Sequence, residues 1–183
     1  MNEREKKIIS KFLSLILRHR PETIGLCLDR NGWADIKELL QKSAVHNQSF
    51  SMEELKEIVA SNDKQRFIIN EDATKIRANQ GHSIEVELNL ASQIPPEYLY
   101  HGTVAKFLPA IKTEGLKKMS RRHVHLSKDI ETAQRVGNRR GEALILRIRS
   151  LAMQKNGFIF YLSENEVWLT DKVPYQYIEF GEE

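Results

Sequence analysis

At 183 residues, with 28 Lys+Arg against 25 Asp+Glu for a formal charge of +3 at pH 7, the chain has room for one ordinary domain or two small lobes, and its net charge alone is too small to hold a polyanion. A single cysteine, Cys27, excludes an internal disulfide, and the absence of CxxC or Cys/His clusters leaves no structural zinc motif. The basic-then-apolar opening MNEREKKIISKFLSLILRHR imitates a signal peptide, but Lys11 and Ser14 interrupt it, no small-residue cleavage site follows and nothing approaches the roughly 18 apolar residues of a membrane span, so a cytoplasmic protein without a membrane partner is expected.

Ile8, Ile9, Phe12, Leu13, Ile16 and Leu17 recur at helical spacing, and Pro21 supplies a stop, which predicts a first helix. "WADIKELLQKSA" places Ile36, Leu39 and Leu40 on one face of a second. Ser51 and Glu54 form an S-x-x-E capping box ahead of Leu55, Ile58 and Val59, marking a third. "RFIINEDATKIRA" then reads as two short strands around a turn. Three helices followed by a hairpin is the order of a winged helix, a fold used for nucleic-acid and for protein contacts alike.

After "NQGHS" the strict alternation of Ile84, Val86, Leu88 and Leu90 predicts a half-buried strand. The prolines of "SQIPPEYLYHG" suit neither a helix interior nor a central strand, so a boundary is expected near residue 92, giving lobes 1–92 and 93–183. Strand-like runs follow at "HVHLS", "ALILRIRS", "GFIFYLS", "EVWLT" and "YQYIEF", with helical patterns at 104–114 and 129–137. Pro109 falls inside the first of these helical patterns. The expected class is α+β, with a β-rich second lobe.

Between Lys117 and Arg140 stand eight basic residues and two acidic ones, a local charge of +6 that suits a polyanion. His123 and His125 alternate through "HVHLS" and would line one face of a strand. Of six histidines, all but His46 fall in the short polar motifs "LRHRP", "NQGHS", "YHGT" and "HVHLS". They lack the acidic or thiolate partners and the HExxH spacing of a zinc site, so no metal is expected. Arginines beside most of them suggest phosphate contacts instead, because a guanidinium matches phosphate oxygens bidentately.

"LRHRP", "KQRF", "IRANQGHS", "YHGT", "MSRRHVHLS" and "NEVWLT…VP" follow in order over nearly the whole chain, and together they resemble the NAD-dependent RNA 2′-phosphotransferase family. The resemblance implies a winged-helix lobe followed by an ADP-ribosyltransferase-like lobe. It implies that an internal RNA 2′-phosphate, as at a tRNA-like splice junction, attacks C1″ of NAD⁺ and expels nicotinamide. The ribose O2″ then attacks phosphorus, giving 2′-OH RNA and ADP-ribose 1″,2″-cyclic phosphate. NAD is thus consumed, no metal takes part, and the protein is expected to act as a monomer.

The resemblance carries a catalytic tetrad onto Arg18, His19, Arg66 and Arg121, with Arg122 as the runner-up to Arg121. A free imidazole titrates near about 6.5, so His19 is a candidate donor to the departing RNA oxygen. His101, Gly102, Thr103, His125, Leu126, Ser127 and Val167 fall at cofactor-binding positions, and Arg77, Asn79, Gln80, Gly81 and His82 at RNA, phosphate or interlobe positions. Many protein-modifying relatives of the fold carry a glutamate where Val167 stands, and Glu166 is one residue away. An inward Glu166 would favour an ADP-ribosyltransferase acting on protein or on terminal nucleic-acid phosphates. A non-catalytic winged-helix nucleic-acid-binding module is the other alternative.

Overall fold

In a computed structural model that describes every residue except 63, 87, 182 and 183, the first apolar stretch forms helix α1, Glu3–Arg18. Asn2 and Glu5 close a reciprocal capping box at its start, where free amides would otherwise lack acceptors. Ile9, Leu13, Ile16 and Leu17 are buried, whereas Ile8 is 48% exposed and lies outside the apolar stripe. The helix stops at His19, the C-cap, two residues before Pro21 opens a single 3₁₀ turn, Pro21–Ile24.

A two-residue strand, β1 (Ala34–Asp35), precedes α2 (Ile36–Val45), and Asp35 also caps that helix by accepting from the Glu38 amide at 2.9 Å. Helix α3, Met52–Ala60, begins with the expected Ser51–Glu54 box. The expected hairpin is β2 (Phe67–Ile69) and β3 (Lys75–Ala78), paired antiparallel with Phe67 opposite Ala78. The sheet order is β1-β3-β2. Leu13, Leu17, Leu39, Leu55 and Ile76 form a fully buried core in the first of the two units into which the chain divides, Met1–Asn89 and Leu90–Glu183.

The strand expected across Ile84–Leu90 does not form: the described residues there belong to no ladder, and Glu87 lies outside them. Alternation only sets up an apolar face; a strand also needs a partner for its backbone groups. Both edges of β3 are already taken by β1 and β2. Val86 is buried by packing under the turn at Gly32, where a Cβ would lie 3.3 Å from its methyl group.

The second unit contains β4 (Leu99–Thr103), α4 (Leu108–Glu114), β5 (Leu116–Lys117), β6 (Val124–Leu126), α5 (Ile130–Gly137), β7 (Leu144–Ile148), α6 (Ser150–Lys155), β8 (Phe160–Leu162), β9 (Trp168–Thr170), β10 (Lys172–Val173) and β11 (Ile178–Phe180). These give two three-stranded antiparallel sheets, β11-β7-β4 and β6-β9-β8, and a β10-β5 pair. The chain is therefore α+β with several small antiparallel sheets. Pro109 is accommodated because it occupies the first turn of α4, where no intrahelical amide is required. Strand β4, absent from the sequence reading, begins three residues beyond Pro96 and pairs with β7 along its whole length.

The two larger sheets meet through Tyr100 and Ser127, which exchange backbone hydrogen bonds of 2.9 and 2.8 Å. Helix α5 lies against β4 so closely that a Cβ on Gly102 would stand 1.9 Å from the Ala133 carbonyl oxygen. Gly137, on the same helix, would place its own Cβ 2.7 Å from that of Ala143. Backbone cannot yield as a flexible side chain can, so Gly102→Ala is expected to destabilise the second unit by more than about 3 kcal/mol, in the range of severe overpacking. Chemical denaturation checks this; a midpoint unchanged from the parent would contradict the close approach.

Candidate active site

Three motifs far apart in sequence meet in the first unit. Arg18, the last residue of α1, is only 9% exposed; its Nη2 donates to the Arg66 carbonyl at 3.5 Å and its guanidinium lies 5.8 Å from the Phe67 ring centre. Arg66 immediately precedes β2, and its carbonyl also accepts from the Asn79 amide at 2.9 Å. The amide of Ser83 donates to the Arg18 carbonyl at 2.9 Å, while its hydroxyl stands 2.9 Å from His19 Nδ1. "NQGHS" thus bonds to both "LRH" and "QRF" through main-chain and side-chain groups.

Within that segment Gly81 has φ of +86°, the left-handed conformation in which glycine carries no steric penalty. Asn79 and His82 are buried, at 6% and 2% exposure, and Gln80 is half-buried. The half-buried Arg77 stacks on Trp33 at 4.7 Å, so its guanidinium is committed in part to an aromatic face.

In the second unit His101 and His125 stand on the two strands that the Tyr100–Ser127 bridge joins. His101 Nδ1, on β4, donates to the His125 carbonyl on β6 at 3.1 Å. A carbonyl can only accept, so this nitrogen carries the proton. Burial pushes the His101 pKa down, the hydrogen bond to the His125 carbonyl pulls back less strongly, and the Arg140 charge adds a smaller downward push. His101 is neutral near pH 7 with Nε2 left as an acceptor. That donor and acceptor pattern fits a ribose hydroxyl.

Arg121 Nη1 donates to His125 Nδ1 at 3.1 Å, which assigns the proton of a neutral His125 to Nε2. Its side chain remains partly open to solvent, yet burial of the guanidinium, then the like charges of Arg140 and Arg139, lowers its pKa from the ordinary arginine value. Arg122 is exposed, and its charge helps to depress the pKa of His123 after the larger effect of burial. His123 itself sits edge-on to Tyr161 at 5.8 Å, on the side of the strand opposite the buried Val124 and Leu126.

Thr103 is buried at the end of β4, and Ser127 forms the bridge to Tyr100. Gly102 serves the packing of α5 as described above. Glu166 has φ of +59°, and its carboxylate, 68% exposed, pairs with Lys128 at 2.8 Å; Val167 is half-buried, and its amide and carbonyl bond Ser163. Among the described residues no group of three or more His, Cys, Asp and Glu side chains could hold a metal ion, and no helix is long and apolar enough to cross a membrane. Arg139 and Arg140 stand out here as charges acting on Arg121 and His101. In the sequence they were indistinguishable members of the basic run.

Residues 3–172 match the model of the RNA 2′-phosphotransferase, Tpt1/KptA family. The chain belongs to this family. It is 64% identical over 180 residues to a probable RNA 2′-phosphotransferase of Flavobacterium johnsoniae, covering 98% of this chain and 99% of the relative. It is 57% identical to the Fusobacterium nucleatum protein of the same name, covering 94% and 97%, and 52% identical to that of Burkholderia pseudomallei, covering 93% of each. The chain is accordingly an enzyme, an RNA 2′-phosphotransferase with NAD as co-substrate.

The lowered pKa of His101 makes stability depend on pH. Because the folded pKa of His101 lies below the ordinary 6.5, the unfolded state binds more protons between the two values, so stability falls as pH drops below about 6.5 and is unaffected above it. His123, lowered in the same direction, adds to the slope. His101→Asn is expected to flatten that slope in denaturation curves from pH 7.5 to 5. An unaltered slope would show that His101 does not titrate abnormally.

Proposed function

We propose that the first unit is a winged-helix lobe that grips the RNA 2′-phosphate and the second an ADP-ribosyltransferase-like lobe that holds NAD. Supporting the first is the order α1-β1-α2-α3-β2-β3 with its three-stranded sheet; supporting the second are two antiparallel sheets bridged at Tyr100 and Ser127, with His101 bonded to His125 beside the bridge. The observation that carries the reading is the hydrogen-bonded convergence of Arg18, His19, Arg66 and "NQGHS".

The chemistry accounts for the residue types. A phosphate monoester is already an anionic nucleophile, so its attack on C1″ of the nicotinamide ribose needs no general base. The second step, attack of O2″ on phosphorus, crowds negative charge onto five-coordinate phosphorus and calls for fixed positive donors. Arg18, Arg66 and Arg121 supply them. His19 delivers a proton to the departing RNA 2′-oxygen, matching the proton that the attacking O2″ hydroxyl gives up, with Ser83 orienting its ring. His101 accepts from a ribose hydroxyl through Nε2, and Thr103, Ser127 and Val167 line the cofactor position, with Gly102 and Leu126 setting the backbone around it. The products are 2′-OH RNA, nicotinamide and ADP-ribose 1″,2″-cyclic phosphate, the substrate being an internal 2′-phosphate as at a splice junction. The protein acts as a cytoplasmic monomer.

An exposed Glu166 bonded to Lys128 gives little support to a protein-modifying transferase, which would need that carboxylate at the sugar. Arg121 is preferred to Arg122 because it bonds His125. Incubation with NAD⁺ and a short RNA carrying a labelled internal 2′-phosphate is expected to move the label onto ADP-ribose. A stable ADP-ribosyl-RNA, or no NAD consumption, would overturn the reading.

Arg18→Ala and Arg121→Ala are each expected to lower turnover about 10²–10³-fold, the loss of about 2.7–4 kcal/mol that follows removal of one transition-state donor. Steady-state rates on the labelled RNA check this, with circular dichroism confirming the fold; near-parental turnover would remove the residue from the tetrad. The two steps separate in single-turnover reactions. Arg66→Ala is expected to accumulate ADP-ribosylated RNA, because resolution is the step that gathers charge on phosphorus. His101→Ala is expected to slow adduct formation, with partial rescue at high NAD⁺. The reverse pattern would overturn the division.

A further inference from the structure

We propose that Asn79 is a positioning residue for the reaction, holding Gln65 in a left-handed turn and so fixing the direction in which Arg66 projects. The inference rests on the reading of Arg66 as a phosphate contact. At 6% exposure Asn79 is itself withdrawn from RNA.

Its side-chain Nδ2 donates to the Gln65 carbonyl at 2.6 Å, and its main-chain amide donates to the next carbonyl, that of Arg66, at 2.9 Å. One residue therefore clamps two consecutive carbonyls, one on either side of the Arg66 Cα. Gln65 has φ of +40°, a region in which Cβ crowds the backbone and which glycine, asparagine or aspartate normally occupies. A turn bond from the Gln65 amide to the Asn62 carbonyl at 2.8 Å closes the loop but leaves that strain in place. The Asn79 side chain makes no other hydrogen bond among the described residues, since its buried Oδ1 accepts none. A buried amide with one bond is a poor device for stability alone. It is an effective one for holding an unfavourable backbone angle immediately before a functional arginine.

The main-chain clamp survives substitution at position 79 by any residue but proline, so truncation to alanine releases only the Gln65 carbonyl. Gln65 then relaxes toward negative φ, and the base of the Arg66 side chain shifts with it. Displacements of about 1 Å at a reacting group can slow chemistry about 10²-fold.

The test uses single-turnover reactions with labelled 2′-phosphate RNA, NAD⁺ titrations and thermal melts of the full chain. Asn79→Ala is expected to slow resolution of the adduct by about 10–100-fold, with KM for NAD⁺ unchanged. Gln65→Val, which leaves Asn79 intact but disfavours positive φ, is expected to reproduce that defect, so the proposal stays testable if Asn79→Ala melts below the assay temperature. Gln65→Gly alone is expected to be near wild type, and added to Asn79→Ala it is expected to recover most of the lost rate, because glycine adopts positive φ without the clamp. A merely structural role for Asn79 would not be rescued by a more flexible neighbour. Wild-type rates in both Asn79→Ala and Gln65→Val, a defect in Gln65→Gly alone, or failure of the double variant to recover would each overturn the proposal. Arg66→Ala is run beside them: wild-type turnover there would instead bring down the reading of Arg66 as a phosphate contact.

Discussion

The first unit depends on a simple demand: main-chain polar groups in a buried segment must find partners. Residues 79–83 meet it by donating to the carbonyls of Arg66 and Arg18. Those two bonds make the end of α1, the start of β2 and the exit from β3 one structural object. The side chains that project from it are cationic and imidazole groups, so its geometry is set by the backbone and its charge by the sequence. Thermal wandering of a long arginine is reduced when its own Cα is held through its carbonyl. Arg18 goes further, because it is buried to the guanidinium and rests against Phe67.

The second unit solves a comparable problem by close approach. Gly102 and Gly137 let α5 press onto β4, and the exchange between Tyr100 and Ser127 ties β4 to the strand that carries His125. With both strands fixed, two donors converge on His125: Arg121 on its ring and His101 on its carbonyl. Gly102 stands inside the "YHGT" motif for a packing reason, which is independent of any ligand beside it. A motif residue therefore need not touch what the motif binds.

Much of this was legible in the sequence because the signals were local. The Ser51–Glu54 box, the helically spaced apolar run through Leu17 and the turn residues of the hairpin each specify structure within a few residues. The alternation from Ile84 to Leu90 misled for the opposite reason: whether a strand forms is decided by a distant edge, and β3 had none to offer. Strand β4 was hidden by the nearby prolines, and α6 by the lack of a capping signal in "SLAMQK", whose Ser150 instead donates to the Pro96 carbonyl at 2.7 Å. The motif residues were visible by resemblance, but their partners were not. Nothing in one sequence says that Asn79 bonds Gln65, or that Arg140 rather than Arg135 bears on His101.

Fixed and titratable charge are distributed in a way that suits phosphate chemistry near neutral pH. Guanidiniums keep their charge even where burial and their neighbours Arg139 and Arg140 lower the Arg121 pKa, because the starting value is so far above neutrality. Imidazoles do not, and the same surroundings keep His101 neutral. A cationic His101 would add repulsion to an already positive region and would lose the Nε2 acceptor. Arg140 therefore acts in one direction on two neighbours with different outcomes: it lowers both pKa values, which leaves Arg121 charged and adds to the burial that leaves His101 neutral. The result is a region whose guanidinium charge holds through neutral pH while the hydrogen-bond pattern of His101 is set by its tautomer.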